Sequence, residues 1–208
     1  RNHALRRFVM LIAAIKRAAA TLWKAFSYTL GVLVVALLLY PGWFAVHIWY
    51  WVKHNPASPS SMRARRERRR EKNPDASLKQ RWASYGRISE ELKRAVIVAE
   101  DAKFSEHDGF DWEGIQNAME KNQRRGRVVA GGSTISQQLA KNLFLSGEKN
   151  LWRKGEEAVI TSMLELLMDK ERILEIYLNV AEWGDGVFGA DAAARHYRGT
   201  GGFPSGDA

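Results

Sequence analysis

The chain contains no cysteine, which excludes disulfides, thiolate nucleophiles and Cys-based zinc sites and lets it work in an oxidising compartment. Acidic residues are in deficit: 23 Asp and Glu stand against 32 Lys and Arg, a formal net charge of +9. That excess points to an anionic partner, whether nucleic acid, phospholipid headgroups or a phosphate-bearing substrate. Residues 25–52, "AFSYTLGVLVVALLLYPGWFAVHIWYWV", lack charge of either sign. Strand-type alternation is scarce, no internal repeat is visible, and the absence of G-x-x-x-x-G-K-[ST] excludes a Walker loop. What remains, 208 residues with 46% hydrophobic and 26% charged, suits one mainly α domain with a sizeable core, plus appendages.

A helix of about 20 apolar residues spans a bilayer's hydrocarbon core, so the run 25–52 reads as a retained transmembrane anchor. A buried core helix and a cleaved signal peptide are the other readings, although a signal peptide's apolar region is shorter. Tyr28, Tyr40, Trp43, Trp49, Tyr50 and Trp51 suit interfacial anchoring, and Pro41-Gly42 is expected to kink or end the regular helix. Cations flank both sides, Arg1, Arg6, Arg7, Lys16, Arg17 and Lys24 before, Lys53 and the arginines from Arg63 to Arg70 after, which leaves the orientation open. The organisation is then a basic N-terminus (1–24), the span (25–52), a basic juxtamembrane linker (53–77) helical from 62 to 72, a domain (78–198) and a Gly-rich tail (199–208). The linker reads either as a solvated connector or as a contact with anionic membrane lipids, at about 1 kcal/mol per basic residue near the surface. No nucleic-acid-binding module surrounds its arginines, so nucleic acid is set aside as a partner.

Within the domain, Ser89 is the expected N-cap of a helix reaching Ala102, with Leu92, Ala95, Val96 and Ala99 as its core stripe. Glu100 follows Val96 by four positions at the stripe's edge, a partly desolvated setting that suits a general base. Taken alone, a surface acid at a helix end is the plainer reading. His107 has no metal-type spacing around it and reads as a structural hydrogen bonder. In "GGSTISQQLAKN", a helix starting at Ser133 or Thr134 is expected to offer free backbone N–H groups to an anion. Thr134, Gln138 and Lys141 would form its polar face, and Ile135, Leu139 and Leu143 its buried one; a capped surface helix reads the same residues equally well. Lys149, Arg153 and Lys154 approach Glu156 and Glu157, as surface ion pairs or as a charged site for a metal or a diphosphate. From Lys154 to Glu182 the pattern is helical with a break near Asp169, and Ile173, Leu174, Ile176, Tyr177 and Leu178 read as core.

Together these blocks resemble the peptidoglycan glycosyltransferase family, the enzymes that polymerise lipid II, in its monofunctional membrane-anchored branch. Glu100, Asp101, Phe104, His107 and Gly109 match E-D-x-x-F-x-x-H-x-G. Gly131, Ser133, Thr134, Ile135, Ser136, Gln137, Gln138, Lys141 and Asn142 match the second motif, and Arg153, Lys154 and Glu157 the third. Lys170, Ile173, Leu174, Glu175, Tyr177, Leu178 and Asn179 match the fourth. The resemblance implies a lysozyme-like glycosyltransferase domain behind an N-terminal transmembrane helix. It places the N-terminus in the cytoplasm and the domain in the periplasm, on a single pass of the bacterial inner membrane. It implies Glu100 as the base that deprotonates the acceptor 4-hydroxyl, with inversion at the donor's C1 and release of undecaprenyl diphosphate. Glu157 is the second key carboxylate, with room for Mg2+ or another divalent cation there. Lys141, Lys149 and Arg153 would offset diphosphate charge, and Asp101, Phe104, Ser133, Thr134, Gln137, Gln138, Asn142 and Lys154 would complete the donor and diphosphate site. Lipid II, the growing glycan strand, membrane lipids, other cell-wall synthases and division proteins are the partners so implied.

Two departures stand out. Lys149 occupies a position where the family usually has arginine, which loses the bidentate fork. After Tyr197 the family continues through further helices, so the domain reads as C-terminally truncated. Two other readings fit the same residues: an inactive relative that binds lipid II or a synthase at the membrane, and a glycan-cleaving lysozyme-like hydrolase. The hydrolase would have no use for the cations at 141, 149 and 153.

Overall fold

Asn2–Trp51 forms one 50-residue helix, α1, in a computed structural model that describes residues 2–73, 77–145 and 150–199. Its stretch Ile15–Trp51 is long and apolar enough to cross a membrane. The helix continues through Pro41, so Pro41-Gly42 does not end it as the sequence suggested. The chain divides into two compact units between Phe44 and Ala45. The first is the apolar helix, whose Leu22, Val32, Leu37 and Leu39 are exposed. The second takes in the last turns of α1, where Ile48 is fully buried and the Trp51 ring lies 5.1 Å from that of Phe144.

The second unit is mainly α, as expected. Its helices are α2 (Ser60–Lys72), α3 (Glu90–Glu100), α4 (Trp112–Arg125), α5 (Ile135–Phe144), α6 (Leu151–Leu167), α7 (Lys170–Val180) and α8 (Ala190–Gly199). Short side chains set the starts: Ser89, Thr134 and Asp169 each accept a backbone N–H three residues on, the helix-entry chemistry expected of these residue types. Asp169 thus separates α6 from α7 at the predicted break.

The core is the packing of α5 against α6 and α7. Ile135, Leu139 and Leu143 face Ile160 and Leu164 of α6 and Ile173, Leu174, Ile176 and Leu178 of α7, all buried, each contributing roughly 1.5–3 kcal/mol of transfer free energy. A small sheet, β1 (Lys79–Gln80), β2 (Glu182–Gly184) and β3 (Val187–Phe188), runs in the order β1-β3-β2, with β3 parallel to β1 and antiparallel to β2. Buried Asn179 ties the segment before α3 to α7. Its Oδ1 accepts from Ala83 N at 2.7 Å while its Nδ2 donates to Ala83 O at 2.8 Å.

Two expectations are corrected here. The described part of residues 53–77 is more than a solvated connector, because α2 packs on α5 with Met62 and Ser60 buried, and Arg65 pairs with Glu182 at 2.8 Å. The stripe on α3 is not a core face either. Ala95 and Ala99 are exposed, Leu92 and Val96 half-buried, and the buried residue is Lys93, whose ammonium pairs with Glu90 and lies 3.7 Å over the Tyr85 ring.

Candidate active site

The end of α3 presents two carboxylates in succession, and they go opposite ways. Asp101 is buried. Its Oδ1 accepts from His107 Nε2 at 2.9 Å, and since Gly109 N donates to His107 Nδ1 at 3.1 Å, the ring proton sits on Nε2. Its Oδ2 accepts from Ile135 N, the first N–H of α5, at 3.0 Å. Thr134 and Gln137 close the rest of that turn as a capping box: Gln137 N donates to Thr134 Oγ1 and Thr134 N to Gln137 Oε1. Thr134 Oγ1 itself donates to Gly109 O at 2.7 Å.

The helix start expected to offer free N–H groups to a substrate anion is therefore already used, and the anion it holds is Asp101. Asp101 and Thr134, although buried, reach the wall of a cavity that Glu100 also lines, with their side-chain oxygens already engaged within the fold, and Gln137 is buried in the turn. Phe104 is likewise 3% exposed, beneath the Lys170 ammonium at 4.6 Å. Lys170 donates to His107 O at 2.6 Å and pairs with Glu165, to which Ser136 also donates. These contacts hold the turn in place, and His107 is the structural hydrogen bonder that its spacing suggested.

Glu100, by contrast, is exposed rather than partly desolvated. It borders a cavity of about 140 Å3 with Asp111, Gly131, Gly132 and Ser133 among its lining, so Ser133 is placed where a ligand would meet it. Gln138 Nε2 donates to Glu100 Oε2 at 2.8 Å, and the Tyr177 hydroxyl donates to Gln138 Oε1 at 3.0 Å. Burial, and then the charge of Glu100, push the Tyr177 hydroxyl well above the ordinary tyrosine range. Sequence reasoning took Tyr177 for plain core; the signal was a phenol among aliphatic side chains, whose O–H must find a partner when buried.

One turn beyond Gln138, Lys141 is exposed and Asn142 half-buried. Lys141 lies in the last turn of α5, and α6, which packs against α5, begins with the turn that carries Arg153 and Lys154. There Arg153 is half-buried, its Nε enclosed without a hydrogen-bond partner. Lys154 pairs with buried Glu157. Lys149 lies outside the described residues. The expected metal does not fit Glu157: its carboxylate is already on an ammonium, and among the described residues no three His, Cys, Asp or Glu side chains come together. A protein-held divalent cation needs several oxygen ligands, and among the described residues Glu157 does not have them around it.

Similarity to known proteins runs through this site. The family model described as Transglycosylase matches residues 67–201. The biosynthetic peptidoglycan transglycosylase of Laribacter hongkongensis (strain HLHK9) is 64% identical over 165 residues, covering 79% of this chain and 72% of that protein. The protein of the same name from Methylobacillus flagellatus is 64% identical over 164 residues, with 79% and 72% covered. That from Nitrosospira multiformis is 58% identical over 177 residues, with 85% and 75% covered.

Proposed function

We infer the function of this chain from the premise that it belongs to the transglycosylase family. It is a peptidoglycan glycosyltransferase, an inverting hexosyltransferase of cell-wall synthesis, with a lysozyme-like domain. We propose that it polymerises lipid II into β-1,4-linked glycan strands. The observation that carries the site assignment is Glu100, an exposed carboxylate at a cavity mouth, steadied by a donor from α5.

Glu100 takes the proton of the acceptor's 4-hydroxyl as that oxygen attacks C1 of the donor sugar, and undecaprenyl diphosphate leaves from the opposite face. Inversion demands a base and a leaving-group site on opposite sides of C1. Along α5 the base meets Gln138, and the cations Lys141 and Arg153 follow toward the start of α6, with Lys149 proposed to add its charge to theirs. Their charge offsets what develops on the departing diphosphate, where preorganised donors lower the barrier most. Ser133 lines the cavity beside Glu100, and Gln138 and Asn142 border the path to the cations. Glu157 acts from beneath, holding the Lys154 ammonium in place. Asp101, Phe104, Thr134 and Gln137 act by building the turn.

The helix Ile15–Trp51 fits a single-pass anchor in the bacterial inner membrane with the domain on the periplasmic side. It would keep the enzyme beside a substrate whose own tail stays in the bilayer. Membrane lipids, other synthases and division proteins would be met there. The test is lipid II polymerisation by the detergent-solubilised chain beside Glu100→Gln. Strands are expected from the wild type, and a rate lower by about 10²–10⁴-fold from the variant, the usual contribution of a general base. Equal strand yields from the two proteins would remove Glu100 from the role of base.

A further inference from the structure

Glu100 is the outer end of a hydrogen-bonded chain that runs into the core, from Glu100 Oε2 through the Gln138 amide to the Tyr177 hydroxyl, at 2.8 Å and 3.0 Å. A glutamine amide has a donating and an accepting end, and nothing in its shape distinguishes them. Presented one way it donates to the carboxylate; flipped, it sets its own oxygen against that carboxylate and the contact becomes repulsive. Gln138 is half-buried, so solvent alone would not hold it in one orientation. Tyr177 is 6% exposed and aims its O–H at Oε1.

We propose that Tyr177 is a positioning residue for the transfer reaction: by donating to Gln138 Oε1 it fixes the amide with Nε2 toward Glu100, and so keeps the base aimed at the cavity. This rests on the reading of Glu100 as the base. Burial and the Glu100 charge hold the Tyr177 proton far above its ordinary value of 10.0, so the donor persists throughout the working range. The other titratable groups near Glu100 are otherwise engaged or more distant along the fold. Asp101 is taken by His107 and Ile135 N, and Asp111 caps α4 through Gly114 N. Lys141 is one turn further along α5 and exposed to solvent.

The experiment compares wild type, Tyr177→Phe, Gln138→Met, the double variant and Glu100→Gln in lipid II polymerisation, with Tm measured for each. Tyr177→Phe is expected to lower kcat by about tenfold with KM nearly unchanged, because the base has lost its oriented donor. Gln138→Met should do the same, and the double variant should be no worse than Gln138→Met alone, since both act through one contact. A merely structural tyrosine would lower Tm and leave the kcat of the folded enzyme in place. An unchanged kcat in Tyr177→Phe, or losses that add in the double variant, overturns the proposal. If Tyr177→Phe fails to fold, the kcat of Gln138→Met decides, with the same two outcomes. An active Glu100→Gln would defeat the base reading and this inference together. An inactive Glu100→Gln beside a Tyr177→Phe of unchanged kcat would defeat the inference alone.

Discussion

Adjacent carboxylates with opposite surroundings show how one residue's role is set by where its two oxygens point. Glu100 faces solvent and accepts a side-chain donor at one oxygen, whereas both oxygens of Asp101 accept from within the fold. Asparagine at 101 could accept from only one of His107 Nε2 and Ile135 N, and would turn an N–H2 against the other. Asp101→Asn should therefore lower stability by about 2–3 kcal/mol, the range for a buried hydrogen bond to a charged group, read as a fall in Tm. Glu100→Gln should leave Tm nearly unchanged while activity collapses. An Asp101→Asn protein as stable as wild type would remove the structural role assigned here. The pair E-D was visible in the sequence; the division of labour was not, because it depends on partners 34 and 38 residues away.

At the scale of elements, α5 gathers most of the site, and its start is where local chemistry and tertiary structure meet. Thr134 accepts from Gln137 N, donates to Gly109 O and so joins the turn after α3 to the helix. Gly109 fits there with φ at +89°, and a Cβ would lie 2.8 Å from Thr161 Cγ2. Thr134→Ala should cost about 1–2 kcal/mol, as lost N-caps do, and Thr134→Ser should recover most of it; denaturant unfolding of the three proteins checks this. Equal losses in both variants would instead point to the threonine methyl's packing. The caps at Ser89, Thr134 and Asp169 were legible because each is a bond across three residues, and the buried face of α5 because its spacing is helical. The α3 stripe misled, since periodicity marks an apolar face without saying whether anything covers it. Lys93 is the counterexample on the same helix. Its burial needs the Tyr85 ring and the Glu90 carboxylate, and that ion pair holds the exposed Glu90 below the usual carboxylate range. The chain from Tyr177 to Glu100 links α7, α5 and α3, and no local pattern records such a link.

At the scale of the whole molecule, the last turns of α1 belong to the same compact unit as the candidate site, and the question is what holds them there. The last carbonyls of any helix lack intrahelical partners and carry partial negative charge, and α1 has no basic residue in its last turn. The cation comes instead from α7. Arg172 donates to Trp51 O through Nε at 3.0 Å and Nη2 at 2.8 Å, and to His54 O at 2.7 Å, while Nη1 pairs with Glu175 at 2.8 Å. Five positions on, the same helix carries Tyr177, so one element fixes both the end of α1 and the hydrogen-bonded chain to Glu100. Arg172→Ala strips the carbonyls of their donor and leaves Glu175 without its cation in a mostly buried setting. The loss of stability should be about 3–5 kcal/mol, as when one partner of a buried ion pair is removed. Arg172→Lys keeps the charge but not the planar fork, and should fall between the two. Hydrogen exchange should report the change locally, with amides from 50 to 55 losing protection in Arg172→Ala before those of α5 and α6. Protection lost uniformly across the unit would mean that Arg172 only adds to global stability. Early loss confined to that segment would mean that it fastens the end of the helix, and polymerisation by the same variant would then show how far catalysis depends on that fastening.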